Sequence, residues 1–188
     1  AKLTFVTERE NATLVEFVLN PAGDAAFLLW QATEGMALTQ WAVTSRNSRT
    51  IRVFPPQTEI SELTISPNGK TLAFSSSHPK APQEIFVLDV ATNELRQLTF
   101  SPHAGVRLDD LVAPQEIFFP ADDGLSLQGW LYLPENFTKP GAAVVSFHGG
   151  PEAREGTAFN PLYQALLARG MAIFAPNVRG SAGFGKSY

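Results

Sequence analysis

The sequence contains no cysteine, which removes a disulfide framework, a thiolate zinc site and a thiol nucleophile together. Methionine is almost absent, at positions 36 and 171 only, and the first residue is Ala1. No apolar run approaches the roughly 20 residues that cross a bilayer as a helix; Ala142–Val145 is already followed by Ser146. No charged segment followed by an apolar one opens the chain, so no secretion signal is visible and a cytoplasmic setting is expected. A basic surplus is lacking as well. The 14 Lys and Arg are outnumbered by 18 Asp and Glu, and the two parts on either side of residue 106 each carry −2. A phosphate backbone demands a basic stripe, so nucleic-acid binding is disfavoured. The three histidines stand apart in sequence, and no metal site or cofactor is expected.

What is present suffices for a folded core, since 44% of the 188 residues are hydrophobic. Shifted by 46 residues, the chain matches itself without gaps. Glu16 meets Glu62, Pro21 meets Pro67, Gly23 meets Gly69, Asn47 meets Asn93 and Phe54 meets Phe100. Leu14, Phe17 and Leu19 fall on Ile60, Leu63 and Ile65. Both Pro-x-Gly pairs lie in turns, where Pro presets one dihedral and Gly takes a positive φ. Each repeat reads as four short strands, in the second at about 60–66, 71–77, 84–90 and 95–100. That period and strand number are those of a β-propeller blade. Two blades fall short of the about 4–8 that close a propeller ring. Together with Ala1 and the stop after Lys186-Ser187-Tyr188, this reads as a piece of something longer.

After Phe100 the pattern changes. Residues 101–114 read as a linker, and strands are expected at 115–120 and 125–134, joined by the Ala121-Asp122-Asp123-Gly124 turn. The run 142–147 suits a strand buried on both faces. A helix follows, with Asn160 as N-cap, Pro161 in the first turn, an apolar stripe of Leu162, Ala165 and Leu166, Arg169 in the last turn and Gly170 after it. Residues 171–176 form a second buried strand, completing a βαβ unit. The expected organisation is therefore two blades over 1–106 and an α/β portion over 107–188.

Two glycine motifs stand out. Gly180-Ser181-Ala182-Gly183-Phe184-Gly185-Lys186-Ser187 satisfies the P-loop pattern letter for letter. A P-loop glycine follows its strand directly, but here Ala175-Pro176-Asn177-Val178-Arg179 intervenes, and a helix starting at Lys186 would have two further residues. The match is read as coincidence. His148-Gly149-Gly150-Pro151 follows a buried strand and precedes a helix. A strand-to-helix loop of this type supplies an oxyanion-hole amide in α/β-hydrolases.

The second motif, combined with Asn177-Val178-Arg179-Gly180-Ser181-Ala182-Gly183-Phe184-Gly185, resembles the prolyl oligopeptidase family of serine peptidases. It is most similar to the acylaminoacyl-peptidase branch. Ser66-Pro67-Asn68-Gly69-Lys70 is similar to that family's propeller, and Asp122-Asp123-Gly124-Leu125 with Gly129-Trp130-Leu131-Tyr132-Leu133-Pro134 to the start of its hydrolase domain. The resemblance implies β-propeller blades followed by the N-terminal portion of an α/β-hydrolase domain. It implies hydrolysis of short peptides through an acyl-enzyme, with no cofactor, and leaves homo-oligomerisation of a longer parent open. It places the Gly150 backbone amide in the oxyanion hole with Gly149 beside it, and gives His148 and Arg179 loop-ordering roles. The nucleophile of the family sits in a G-x-S-x-G elbow, which occurs nowhere in this sequence. Ser181 lacks the elbow spacing and Ser146 lies in a strand, so no triad member is expected here. His78 and His103 are expected in surface loops. The rival readings are an esterase-like α/β-hydrolase and a non-catalytic propeller module that binds peptides.

Overall fold

A computed structural model describes residues 12–32, 35–150, 153–184 and 188. The chain divides into two compact units, one of residues 1–77 and 83–101, the other of 78–82 and 102–188.

The first unit holds two four-stranded antiparallel meanders, which are propeller blades. One comprises β1 (Ala12–Leu19), β2 (Ala25–Ala32), β3 (Gly35–Ala42) and β4 (Ser48–Val53). The other comprises β5 (Glu59–Ile65), β6 (Thr71–His78), β7 (Ala81–Asp89) and β8 (Leu95–Gln97). The two Pro-x-Gly turns are built alike. Gly23 N donates to Asn20 O at 2.9 Å and Gly69 N to Ser66 O at 2.8 Å, with φ of 72° and 69°. A side chain fixes each turn: Asn20 Oδ1 accepts from Ala25 N at 3.0 Å, and Ser66 Oγ from Thr71 N at 3.0 Å.

One apolar cluster joins the blades. Phe27, Leu29, Met36, Leu38, Ile51 and Phe54 from the first pack with Ile60, Leu63, Leu72, Phe74 and Leu88 from the second. Phe74 meets Phe54 edge-on at 5.6 Å and stacks on Phe86 at 6.3 Å. Fully burying one such side chain contributes about 1.5–3 kcal/mol, so neither blade is expected to hold without the other. The repeat alignment drifts here. Arg46 N donates to Ala42 O and Asn93 N to Asp89 O, each at 2.9 Å, with φ of 54° and 59°. Asn93 thus corresponds to Arg46 rather than to Asn47, because the tight turn, not residue identity, sets the equivalence. Phe54 and Phe100 are not equivalent either: Phe54 is buried, whereas Phe100 is 77% exposed. β8 stops at Gln97, three residues short of the expected end.

The second unit is built on a mixed sheet of order β11-β12-β10-β9. β9 (Gln115–Pro120) and β10 (Ser126–Tyr132) form a hairpin across the Asp-Gly turn, where Gly124 N donates to Ala121 O at 2.9 Å. β12 (Ala172–Pro176) runs antiparallel to β10 and parallel to β11 (Ala143–Val145). Between the parallel pair lies α1 (Pro161–Leu167). Asn160 caps it, its side chain accepting from Leu162 N at 3.0 Å and Tyr163 N at 3.2 Å. Gly129 lets β10 and β12 approach closely, since a Cβ there would lie 2.6 Å from the Phe174 ring and 3.1 Å from the Pro176 backbone.

Several sequence expectations change. β11 has three residues and is not buried on both faces, with Val145 54% exposed and Phe147 65% exposed. Among the described residues it stands at the sheet edge, paired with β12. The inward face of α1 is Tyr163, Gln164 and Leu167, while Leu162 is exposed. Polar tips on that face find partners: Gln164 bonds both the N–H and the carbonyl of Val112, at 2.9 and 2.8 Å. Arg169 lies beyond the helix, which is capped at Ala168. His78 ends β6 rather than sitting in a loop, and its burial, then Lys80, holds its imidazole below the usual histidine range. His103 is exposed in a loop. The linker contains a short 3-10 turn at Leu108–Asp110. The core of this unit is Tyr132, Tyr163, Leu167, Ile173 and Ala175, with the two tyrosine rings edge-on at 5.5 Å.

Candidate functional site

The His-Gly-Gly loop leaves the end of β11. Ser146 N still donates to Phe174 O of β12 at 2.9 Å, so the chain is held in strand geometry one residue beyond β11. Gly149 and Gly150 are exposed, and Gly150 has a φ of +55°, a conformation that other residues adopt only with strain. Ala153 N returns a bond to Gly150 O at 2.7 Å, closing the loop. Among the described residues no acceptor takes the N–H of Gly149 or Gly150. Exposed, unengaged amides on a closed loop are what an oxyanion site requires. Pro151 lies outside the described residues, as do Gly185, Lys186 and Ser187 of the P-loop-like stretch.

His148 turns back onto the loop after β12. Its Nε2 lies 2.8 Å from Ser181 Oγ. The Ser181 hydroxyl donates to Val178 O at 2.7 Å, so its one proton is committed. The bond therefore requires Nε2–H as donor. In this arrangement His148 cannot draw a proton from Ser181, and Ser181, only 3% exposed, offers no accessible nucleophile.

Arg179 does not join that cluster. One of its nitrogens, Nη2, reaches both carboxylate oxygens of Asp123 at 2.7 Å, tying its loop to the β9–β10 turn. The Leu125 N–H, then the Arg179 guanidinium, hold the Asp123 carboxyl below the usual range. Both side chains are more than half exposed, so solvent screens the pair, which ties the two loops together without adding much stability.

Sequence reasoning missed the residues that organise the interior of the site. Asn177, 1% exposed, follows β12 directly. Its Oδ1 accepts from Glu155 N at 2.7 Å, and its Nδ2 donates to Gln128 Oε1 and, at 3.2 Å, to Glu155 O. Trp130 Nε1 also donates to Glu155 O, at 3.1 Å. Tyr163 OH lies 2.7 Å from Ser146 Oγ and 3.0 Å from Glu155 Oε1. With a single phenol proton, the consistent order runs from Ser146 to Tyr163 to the Glu155 carboxylate. Burial holds the Glu155 carboxyl above its usual range, against the opposing pull of Tyr163, His148 and Arg154. Tyr188 seals the far side: its hydroxyl accepts from Gln128 N at 2.9 Å and donates to Asn177 O at 2.7 Å. The Asn177-Val178-Arg179-Gly180-Ser181 motif marked this loop in the sequence, but nothing local in it signalled these partners. Among the described residues no group of three or more His, Asp or Glu could hold a metal ion.

No family profile matches the chain. The uncharacterized peptidase YuxL of Bacillus subtilis is 30% identical over 143 residues, which cover 72% of this chain and 21% of that protein. This chain is a relative of the prolyl oligopeptidase and acylaminoacyl-peptidase family. The fold of this family relative agrees with solved structures. A prolyl endopeptidase superposes with a TM-score of 0.80 at 16% identity, over 96% of this chain and 26% of that one. An acylaminoacyl peptidase of Pyrococcus horikoshii does so with a TM-score of 0.72 at 21% identity, over 97% and 28%. The chain thus spans about a fifth of the length of the curated relatives it matches.

Proposed function

We propose that this chain is part of a serine peptidase of the prolyl oligopeptidase or acylaminoacyl-peptidase type, and that the whole protein hydrolyses short peptides through an acyl-enzyme. In this reading residues 107–188 are the start of an α/β-hydrolase domain, with β9, β10, β11 and β12 as its leading strands. The carrying observation is the His148-Gly149-Gly150 loop, which leaves a parallel strand with two exposed amides that no acceptor takes among the described residues. A tetrahedral intermediate places negative charge on the former carbonyl oxygen. An amide already aimed at that charge, as Gly150 N–H would be, lowers the barrier by about 3–4 kcal/mol. Gly149 sets the loop path, and His148 and Arg179 order the flanking loops.

The attack itself needs a serine on a strained strand-to-helix elbow and a histidine to take its proton. None of the 188 residues forms a G-x-S-x-G elbow, and the Ser181 proton is already committed. The chain by itself is therefore expected to be inactive. A fluorophosphonate probe should leave the 188-residue chain unlabelled and label the full-length protein at one serine. Stoichiometric labelling of Ser181 or Ser146 in the short chain would refute the assignment. Full-length turnover of acyl-amino-acid anilides should exceed that of simple esters; the reverse would favour an esterase.

A further inference from the structure

The loop that follows β12 grips the His-Gly-Gly loop at three successive points. At its start, the Asn177 side chain takes both the N–H and the carbonyl of Glu155, in the manner of a strand partner. At its far end, Ala182 N donates to Ala153 O at 3.0 Å. Between them, Ser181 Oγ receives the His148 ring at 2.8 Å. The contacts bracket the two glycines on both sides, with His148 before them and Ala153 and Glu155 after. The gripping loop is itself fixed. Ser181 N donates to Val178 O at 3.0 Å, the Ser181 hydroxyl shares that carbonyl, and Asn177 N bonds Gln128 O at 2.8 Å. Asn177 and Ser181 are both almost fully buried.

We propose that residues 177–182 form a brace that holds the Gly149–Gly150 amides in their working direction, with His148, Ser181 and Asn177 as positioning residues. This rests on the reading of that loop as an oxyanion site. The physical need is plain. Two consecutive glycines carry the largest backbone freedom of any dipeptide, and an oxyanion donor must be oriented before the charge develops. Closure at Ala153 alone leaves the leading residue His148 free to swing. The His148–Ser181 bond removes that freedom from a residue 33 positions away. Because the Ser181 proton is directed to Val178 O, the bond has a fixed sense, with the imidazole N–H as donor. A side chain that keeps a donor at the Nε2 position should preserve the brace, and one that removes it should not.

The test uses the full-length protein and the variants His148→Ala, Ser181→Ala and His148→Gln, the last keeping a side-chain N–H near the Nε2 position. Two readouts are taken: backbone amide exchange over 147–155, and kcat and KM on an acyl-amino-acid anilide. Both alanine variants should speed exchange in that segment by about tenfold or more while β10 stays protected. They should lower kcat by about ten- to a hundredfold, with KM changed by less than about twofold. His148→Gln should recover most of both effects. Exchange over 147–155 unchanged in both alanine variants overturns the brace. So does a rise that extends equally through β10, which marks a merely structural role. So does a His148→Gln variant as impaired as His148→Ala. If the wild-type protein turns over no acyl peptide, the peptidase reading fails by itself, and the exchange measurement still decides the brace.

Discussion

Replacing Asn177 by Asp should make the stability of the second unit depend on pH. Asn177 is 1% exposed, with Oδ1 accepting from Glu155 N and Nδ2 donating to Gln128 Oε1 and Glu155 O. Asp has the same shape, but its second oxygen then faces two acceptors. Protonated, that oxygen can still donate to Gln128. Ionised, it is a desolvated charge with one donor and two opposing oxygens. The folded-state pKa must therefore rise above the unfolded value of about 3.9. Burial of this degree supports a rise of about two to three units, worth roughly 3–4 kcal/mol at about 1.36 kcal/mol each. For an acid with a raised folded pKa, stability is intact below the unfolded pKa and falls as pH rises through the folded one. Asn177→Asp should thus lose only the second donor bond, to Glu155 O, near pH 4 and the full further amount by about pH 7.5. Trp130 is the one tryptophan of the second unit, so a fluorine label on tryptophan, read by NMR, reports that unit separately from Trp30 and Trp41. With a urea slope of about 1–3 kcal/mol per molar, the midpoint at pH 7.5 should fall by roughly 2 M relative to wild type. An equal shift at both pH values would mean that Gln128 turns its amide to the new carboxylate, and the donor order assigned here would be wrong.

Other perturbations test the same physics elsewhere. Glu155→Gln keeps an acceptor for Tyr163 and removes a carboxyl whose titration burial pushes upward. That carboxyl favours the fold most at low pH and progressively less as pH rises, so the variant should be more stable than wild type at neutral pH, with the difference closing near pH 4 in the same Trp130 titration. Phe74→Ala removes a ring that contacts Phe54 and Phe86, so a loss of about 3–5 kcal/mol is expected. Because the cluster spans both blades, the Trp30 and Trp41 resonances should lose their urea resistance although both residues sit in a separate apolar cluster of the first blade. Asn160→Ala leaves two amides of the first helical turn without their cap and should cost about 1 kcal/mol, read from the Trp130 midpoint.

The sequence by itself determined the features whose physics is local. Pro21-Ala22-Gly23 and Pro67-Asn68-Gly69 specify turns through backbone preferences within four residues, and both turns formed. The Asp123-Gly124 turn and the Asn160 cap are local in the same sense. The two-blade repeat was legible because it restates such signals, though its register drifted by one at Asn93, where turn geometry outweighs residue identity. The tertiary structure decided what depends on chain segments meeting across long loops. The partner of Arg179 is 56 residues away at Asp123, and that of Gln164 is 52 away at Val112. The inward face of α1 combines Leu167 with Tyr163 and Gln164, whose polar tips meet distant partners, and leaves Leu162 outside. The exposure of β11 depends on what packs over its faces, which a run of apolar residues cannot reveal. Above all, the partners of Asn177, Glu155 and Ser181 cannot be read from the sequence, although Asn177 and Ser181 lie in a recognisable motif. These residues matter because parallel pairing of β11 with β12 brings the loops at the two strand ends together, and only there can one loop's side chains satisfy the other's backbone.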